Sequence, residues 1–362
     1  MSLHFKPYLL HQARYKGGKA RDEEEGKKIY KLSSNENAIG ASPKAVEAIR
    51  KYADTAFEYP EASNTEFSEA LSDFYGGQLT PEQFLTTNSG VASIEVIMRG
   101  FLEPGTEFIY SSPAFIAYKG FGEKMGAKAV DVPLLGADFE LDVSGILAAI
   151  NDNTRLILIT SPNNPTGTML PRSKVDLLIN ALPDHVVLLF DEVYYQFADH
   201  PEYVRATPYV LQGKNVIAVN SFSKAYGLAA LRVGYAYSTP EIAAYLQNLR
   251  RPFYVNTLSM KAAMAALQDD DFLRRTVQVV HEGREFLYGA LTDMGCQHWK
   301  TQANFILIRP EMPATEFVPQ MEQRGVMVRP AEGMSDPNCV RVTIGDQEAN
   351  HAFISAFKSI LA

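Results

Sequence analysis

The chain has 362 residues, 46% of them hydrophobic and 21% charged, an ordinary globular composition. Its length exceeds what one compact core usually supports, so a large domain with a smaller satellite is expected. A formal net charge of −8 lacks the basic surplus of a protein that tracks phosphate backbones, and no run approaches the roughly 18 apolar residues of a membrane span, so neither nucleic acid nor membrane is expected as a partner.

In chain order, residues 1–18 lack the charged, apolar and small segments of a secretory signal, and a cytoplasmic location is expected. The most polar run, 16–28, reads as a solvated loop. From about Gln83, short apolar runs alternate with longer helix-like stretches, the pattern of βαβ units. Strands are expected at 84–87, 107–110, 156–160, 186–190, 216–220 and 233–237. Several, such as LILIT and VVLLF, are nearly continuous apolar runs, which suits strands covered by helices on both faces. After Arg251-Pro252 the pattern changes to a helical stretch over 257–294, strands at 304–309, 326–329 and 340–344, and a helix at 347–361. The fold class is therefore α/β: a large domain with a mainly parallel central sheet sandwiched by helices, expected over 40–252, plus a smaller α+β domain formed by 253–362 and the N-terminal arm 1–39. Cys296 and Cys339 stand far apart with no metal-ligand spacing around them. Packing is their expected role, and no metal site is indicated.

Ligands of open α/β sheets sit beyond the carboxyl ends of the strands, so the polar residues that follow each apolar run are the candidates. Lys224 follows the run 216–220. Burial there would lower the pKa of its amine toward the neutral form that imine chemistry needs, whereas an isolated lysine would snorkel to water. Ser221, Ser223 and Arg232 supply hydroxyls and a guanidinium of the kind that holds a phosphate. Asp191, at the end of VVLLF, would need a cationic partner when buried, and a protonated ring nitrogen is one such partner; a helix cap is the plainer role. Tyr194 is placed to hydrogen-bond a phenolic oxygen, or to be a half-buried aromatic. The turn at 88–93 begins a helix whose N–H groups, with Gly90 permitting close approach, form an anion site. Phe115 either stacks on a flat heterocycle or belongs to the core.

Together the segments SPNNPTG (161–167), DEVYYQF (191–197) and SFSKAYGLAALRVGY (221–235) resemble the fold-type I pyridoxal-phosphate aminotransferases of class I/II. LSSNEN (32–37), LEPGTEFIYSSPAF (102–115), ANFILIR (303–309) and VRVTIG (340–345) extend the likeness over nearly the whole chain. The resemblance implies pyridoxal 5'-phosphate as cofactor, with Lys224 as its Schiff-base lysine and Asp191 as partner of the pyridine nitrogen. It also implies that Asn164 and Tyr194 bond the phenolic oxygen and Phe115 stacks on the ring. Ser221, Ser223, Arg232 and the backbone at Gly90, Val91 and Ala92 would hold the phosphate. Tyr59 is similar to a tyrosine that reaches the phosphate in a neighbouring subunit, which implies a homodimer with shared sites. Arg341 resembles the carboxylate-binding arginine of the family.

Within the family the likeness is greatest to histidinol-phosphate aminotransferases, carried by LSSNEN, EYPEA (58–62) and Arg329 twelve residues before Arg341. Arg329 and Arg341 would then accept a substrate phosphate or a dicarboxylate, with Asn37 and Tyr8 also near the substrate. Glu58 and NSGVAS (88–93) depart from the subfamily pattern. The implied reaction moves an amino group from an amino acid or amine to a 2-oxo acid such as 2-oxoglutarate, in ping-pong order. Threonine-phosphate decarboxylases and carbon-sulfur lyases share the same cofactor frame, and a catalytically silent pyridoxal-phosphate-binding protein is the non-enzyme alternative.

Overall fold

Apolar strands expose a full set of backbone donors and acceptors that only neighbouring strands can satisfy, and the runs of the first two thirds of the chain do so in one sheet. In the computed structural model, which describes residues 3–10, 28–331 and 333–361, this sheet has seven strands. Its order is Phe84–Thr87, Gly234–Tyr237, Val216–Ser221, Val187–Asp191, Thr154–Thr160, Glu107–Tyr110 and Lys128–Asp131. Neighbours are parallel except Gly234–Tyr237, which runs antiparallel to both of its partners. That reversal returns the chain from the carboxyl end of Val216–Ser221 into the sheet, so residues 221–232 fold as a loop over a single sheet edge. Central strands are buried on both faces, as their continuous apolar sequences require. The edge strand Lys128–Asp131, absent from the expectation, carries a charged residue at each end and exposes both. Such polar edges resist pairing with other chains and hide the strand signal.

A second sheet of four antiparallel strands follows, in the order Arg329–Pro330, Val340–Thr343, Phe305–Arg309 and Gln297–His298. The expected strand at 326–329 divides between two sheets, because Val326–Met327 instead pairs in parallel with Tyr30–Lys31 of the N-terminal arm. The helical stretch expected over 257–294 is also two helices, Thr257–Leu267 and Asp270–Asp293. At the break, Asp269 accepts hydrogen bonds from Ser42 Oγ at 2.6 Å and Lys44 N at 3.3 Å. The first of these helices buries Met260, Ala263 and Leu267 with Phe67 and Leu71 in the core beneath the large sheet. Its packing therefore belongs with the large sheet, although it lies beyond residue 252. Most of the run 16–28 lies outside the described residues. Among the described residues no helix is long and apolar enough to cross a membrane.

Candidate active site

Three parallel strands, ending at Thr160, Asp191 and Ser221, open at the same edge of the large sheet, and register pairs Thr160 with Asp191. A cavity of about 320 Å³ lies there, large enough for one small ligand. Residues 34–36 of the arm line another side, and Arg329 and Arg341 of the smaller sheet reach in from above.

Lys224 is half-buried in this cavity, and its Nζ donates to Ser34 O at 3.1 Å. Burial lowers the pKa of the amine to about 7, with the positive charge of Arg341 acting in the same direction. A lysine so placed holds much of its nitrogen in the nucleophilic form at neutral pH. Asp191 is 4% exposed. Burial pushes its carboxyl up to about 6, even though Tyr118 Oη donates to Oδ2 at 2.6 Å and Val193 N to Oδ1 at 3.1 Å. A cation brought to its remaining lone pairs would relieve that cost.

The polar groups near Lys224 are preset as donors. Arg341 Nη1 donates to Asn164 Oδ1 at 2.7 Å, and since a guanidinium only donates, the opposite end of that amide is its NH₂ group. Asn35 Nδ2 donates to Tyr194 Oη at 3.0 Å. Asn164 and Tyr194 both line the cavity. Tyr194 is held by an edge-on contact with Phe305, ring centroids 5.2 Å apart.

At the other end of the cavity, Ser89 Oγ caps the helix Gly90–Phe101 by accepting from Ala92 N at 3.0 Å. The N–H groups of Gly90 and Val91, in the first turn, have no helix carbonyl to bond and form half of an anion cradle. Ser221, Ser223 and Arg232 form the other half. Ser221 Oγ donates to Ser223 Oγ at 3.0 Å, and Arg232 Nη1 approaches Ser223 Oγ at 3.5 Å. Arg232 has φ 51, a left-handed conformation that an ordinary side chain adopts at a cost of about 1 kcal/mol. The close approach of the two halves explains Gly234, where a Cβ would lie 2.4 Å from Gly90 N and 2.9 Å from Asn220 O.

The cavity thus brings together Gly90, Val91, Phe115, Asn164, Asp191, Tyr194, Ser221, Ser223, Lys224, Arg232, Arg329 and Arg341 from the sequence reading. Four candidates lie elsewhere. Ala92 sits just behind the cradle with its N–H taken by Ser89. Asn37 stands behind Lys224, where its amide donates to the carbonyls of Lys224 at 3.2 Å and Ala225 at 2.9 Å. Tyr8 packs beside Gly126 and Pro104. Tyr59 is 85% exposed, its ring centroid 5.0 Å from that of Phe253. Sequence reading missed Ser34, Asn35, Tyr118 and Thr160, all of which line the cavity. No local signal singled out Tyr118, whose hydroxyl meets Asp191 across 73 residues of chain. It also missed Glu192, fully buried behind Asp191, whose carboxylate accepts from Arg205, Asn220, Tyr237 and the backbone of Ala206.

The donor set fits pyridoxal phosphate: an anion cradle at one end, a buried carboxylate for a ring nitrogen, two donors for a phenolic oxygen, an aromatic side chain and an amine near neutrality. Fold and site define a pyridoxal-phosphate-dependent enzyme of the fold-type I class. The family model for aminotransferase class I and II matches residues 27–357. Histidinol-phosphate aminotransferase of Akkermansia muciniphila is 38% identical over 92% of this chain and 90% of that protein. The enzyme of the same name from Moorella thermoacetica is 36% identical over 93% of this chain and 86% of that one. The crystal structure of histidinol-phosphate aminotransferase from Sinorhizobium meliloti in complex with pyridoxal-5'-phosphate has a TM-score of 0.86 and 25% identity, covering 99% of each chain. The chain belongs to the aminotransferase class I and II family, on its histidinol-phosphate aminotransferase-like side.

Proposed function

We propose that the chain transfers an amino group between histidinol phosphate, or an amine of that kind, and a 2-oxo acid such as 2-oxoglutarate, in two ping-pong half-reactions. The observation that carries this reading is Lys224: its amine is brought to a pKa of about 7 inside the cavity that also holds Asp191 and Arg341. When bound, pyridoxal phosphate supplies an aldehyde that takes the amino group and a protonated ring that draws electrons from the substrate carbon. Lys224 would hold the aldehyde end of the cofactor between turnovers, and its neutral Nζ would carry a proton to and from the reacting carbon. Asp191 holds the proton at the ring nitrogen. Asn164 and Tyr194 would donate to the phenolic oxygen, and Phe115 would cover a ring face. Ser221, Ser223, Arg232 and the N–H groups of Gly90 and Val91 take the phosphate.

Arg329 and Arg341 are register partners on adjacent antiparallel strands, so two guanidinium groups reach the same end of the cavity. A planar fork suits a carboxylate, and two together suit a phosphate or a second carboxylate, which supports one site serving both half-reactions. Tyr59, exposed and outside its own cavity, completes the site of a second copy in a homodimer. The test is to supply the purified protein with histidinol phosphate, aromatic amino acids or aspartate, each with 2-oxoglutarate, and follow glutamate formation. Histidinol phosphate is expected to give the highest kcat/KM. Lys224→Ala is expected to bind cofactor without turnover, and a near-normal rate in that variant would be fatal to the assignment.

A further inference from the structure

We propose that Tyr118 is a positioning residue that keeps Asp191 ionised and in one orientation, so that the ring nitrogen of the cofactor stays protonated. This rests on the function proposed above. Tyr118 is 1% exposed and stands on the helix Ala117–Lys124, outside all three motifs around Lys224, Asp191 and Asn164. Its hydroxyl carries a single hydrogen, and that hydrogen goes to Asp191 Oδ2 at 2.6 Å, because an ionised carboxylate only accepts. Thr160 Oγ1, 2.7 Å from the same hydroxyl, is therefore the donor of that second bond. A directed chain runs from Thr160 through Tyr118 to Asp191, closed by the register of Thr160 against Asp191 on neighbouring strands.

Donation to a carboxylate favours its charged form. Here it opposes both burial and the neighbouring carboxylate of Glu192, which push Asp191 toward protonation. Val193 N occupies Oδ1, so each oxygen retains lone-pair capacity for a ring N–H. Without the Tyr118 hydroxyl the carboxylate becomes more basic, and a proton shared with the ring moves from nitrogen to oxygen. The same phenol ring meets Phe115 edge-on, with centroids 5.6 Å apart and planes at 86°. One side chain thus braces both Asp191 and Phe115.

Tyr118→Phe removes the hydroxyl and keeps the ring. Two readouts separate positioning from mere packing: the Kd of the apoprotein for pyridoxal 5'-phosphate by fluorescence titration, and the ¹⁵N chemical shift of ring-labelled cofactor once bound. The Kd is expected to rise roughly tenfold, the scale of one hydrogen bond to a charged group, and the nitrogen signal to move toward the unprotonated value. Thr160→Val, which removes only the donor to Tyr118, is expected to move both readouts the same way by less. If the unsubstituted protein binds cofactor and Tyr118→Phe matches its Kd and nitrogen shift, the inference alone falls. Should Tyr118→Phe not fold, an unchanged nitrogen shift in Thr160→Val overturns it equally. An unsubstituted protein that binds no pyridoxal phosphate would bring down the proposed function as well.

Discussion

The apoprotein should capture pyridoxal phosphate with a pH dependence set by Lys224. The attacking form is the neutral amine, and burial with the nearby Arg341 lowers its pKa from 10.5 to about 7. Arg232 and Lys31 act in the same direction and Glu36 against it. An amine with that pKa is about a tenth neutral at pH 6, about half at pH 7 and about nine-tenths at pH 8, whereas an unperturbed lysine is well under about 1% neutral at pH 8. Stopped-flow absorbance after mixing apoprotein with pyridoxal phosphate should show a rate that rises about tenfold per pH unit below 6 and levels off above 8. Arg341→Leu removes a positive charge, so the amine becomes more basic and the midpoint moves to higher pH. A rate still climbing tenfold per unit between pH 8 and 10 would refute the reasoning, since it would mean that Lys224 is solvated.

Three other outcomes are expected. Arg205→Ala leaves the carboxylate of Glu192, whose side chain is 0% exposed, without its cation. Destabilisation of about 3 kcal/mol in urea unfolding is expected, at the low end for a broken buried pair because Arg205 is itself 28% exposed; a loss well under 1 kcal/mol would show that the remaining donors suffice. Gly234→Ala forces a methyl group against Gly90 N and pries the two halves of the anion cradle apart, so fluorescence titration should show cofactor affinity reduced roughly tenfold or more. If Tyr59 acts across a subunit boundary, mixing Tyr59→Phe with Lys224→Ala subunits should restore activity in hybrid dimers. Verified hybrids without recovered activity would count against shared sites.

Lys224, Asp191 and the serines around them were legible because the signal is local: a run of buried β-branched and apolar residues announces a strand, and the next polar residues must lie at its carboxyl end. Phe115 and Asn164 were legible for the same reason. Tyr118 was not, since its hydroxyl reaches Asp191 only through the way the helix Ala117–Lys124 lies across the ends of two strands. Nor were Ser34 and Asn35, which meet Lys224 and Tyr194 across more than 150 residues of chain. Helical periodicity runs through residues 257–294, whereas the structure breaks the stretch at Asp269, which accepts from Ser42 and Lys44. The fate of residues 326–330 was likewise out of reach, because a strand pattern does not say which of two sheets will supply the partner.

Local patterning thus determined most of the element types and the mainly parallel sheet, and made Lys224 a candidate, because hydrophobic period and strand-end polarity are properties of short segments. Tertiary structure alone decided the ionisation of that lysine, the orientation of Asp191 and the pairing of Arg329 with Arg341. Each depends on burial and on side chains arriving from distant segments, and the electrostatic cost of burying a charge exists only once those segments have closed around it.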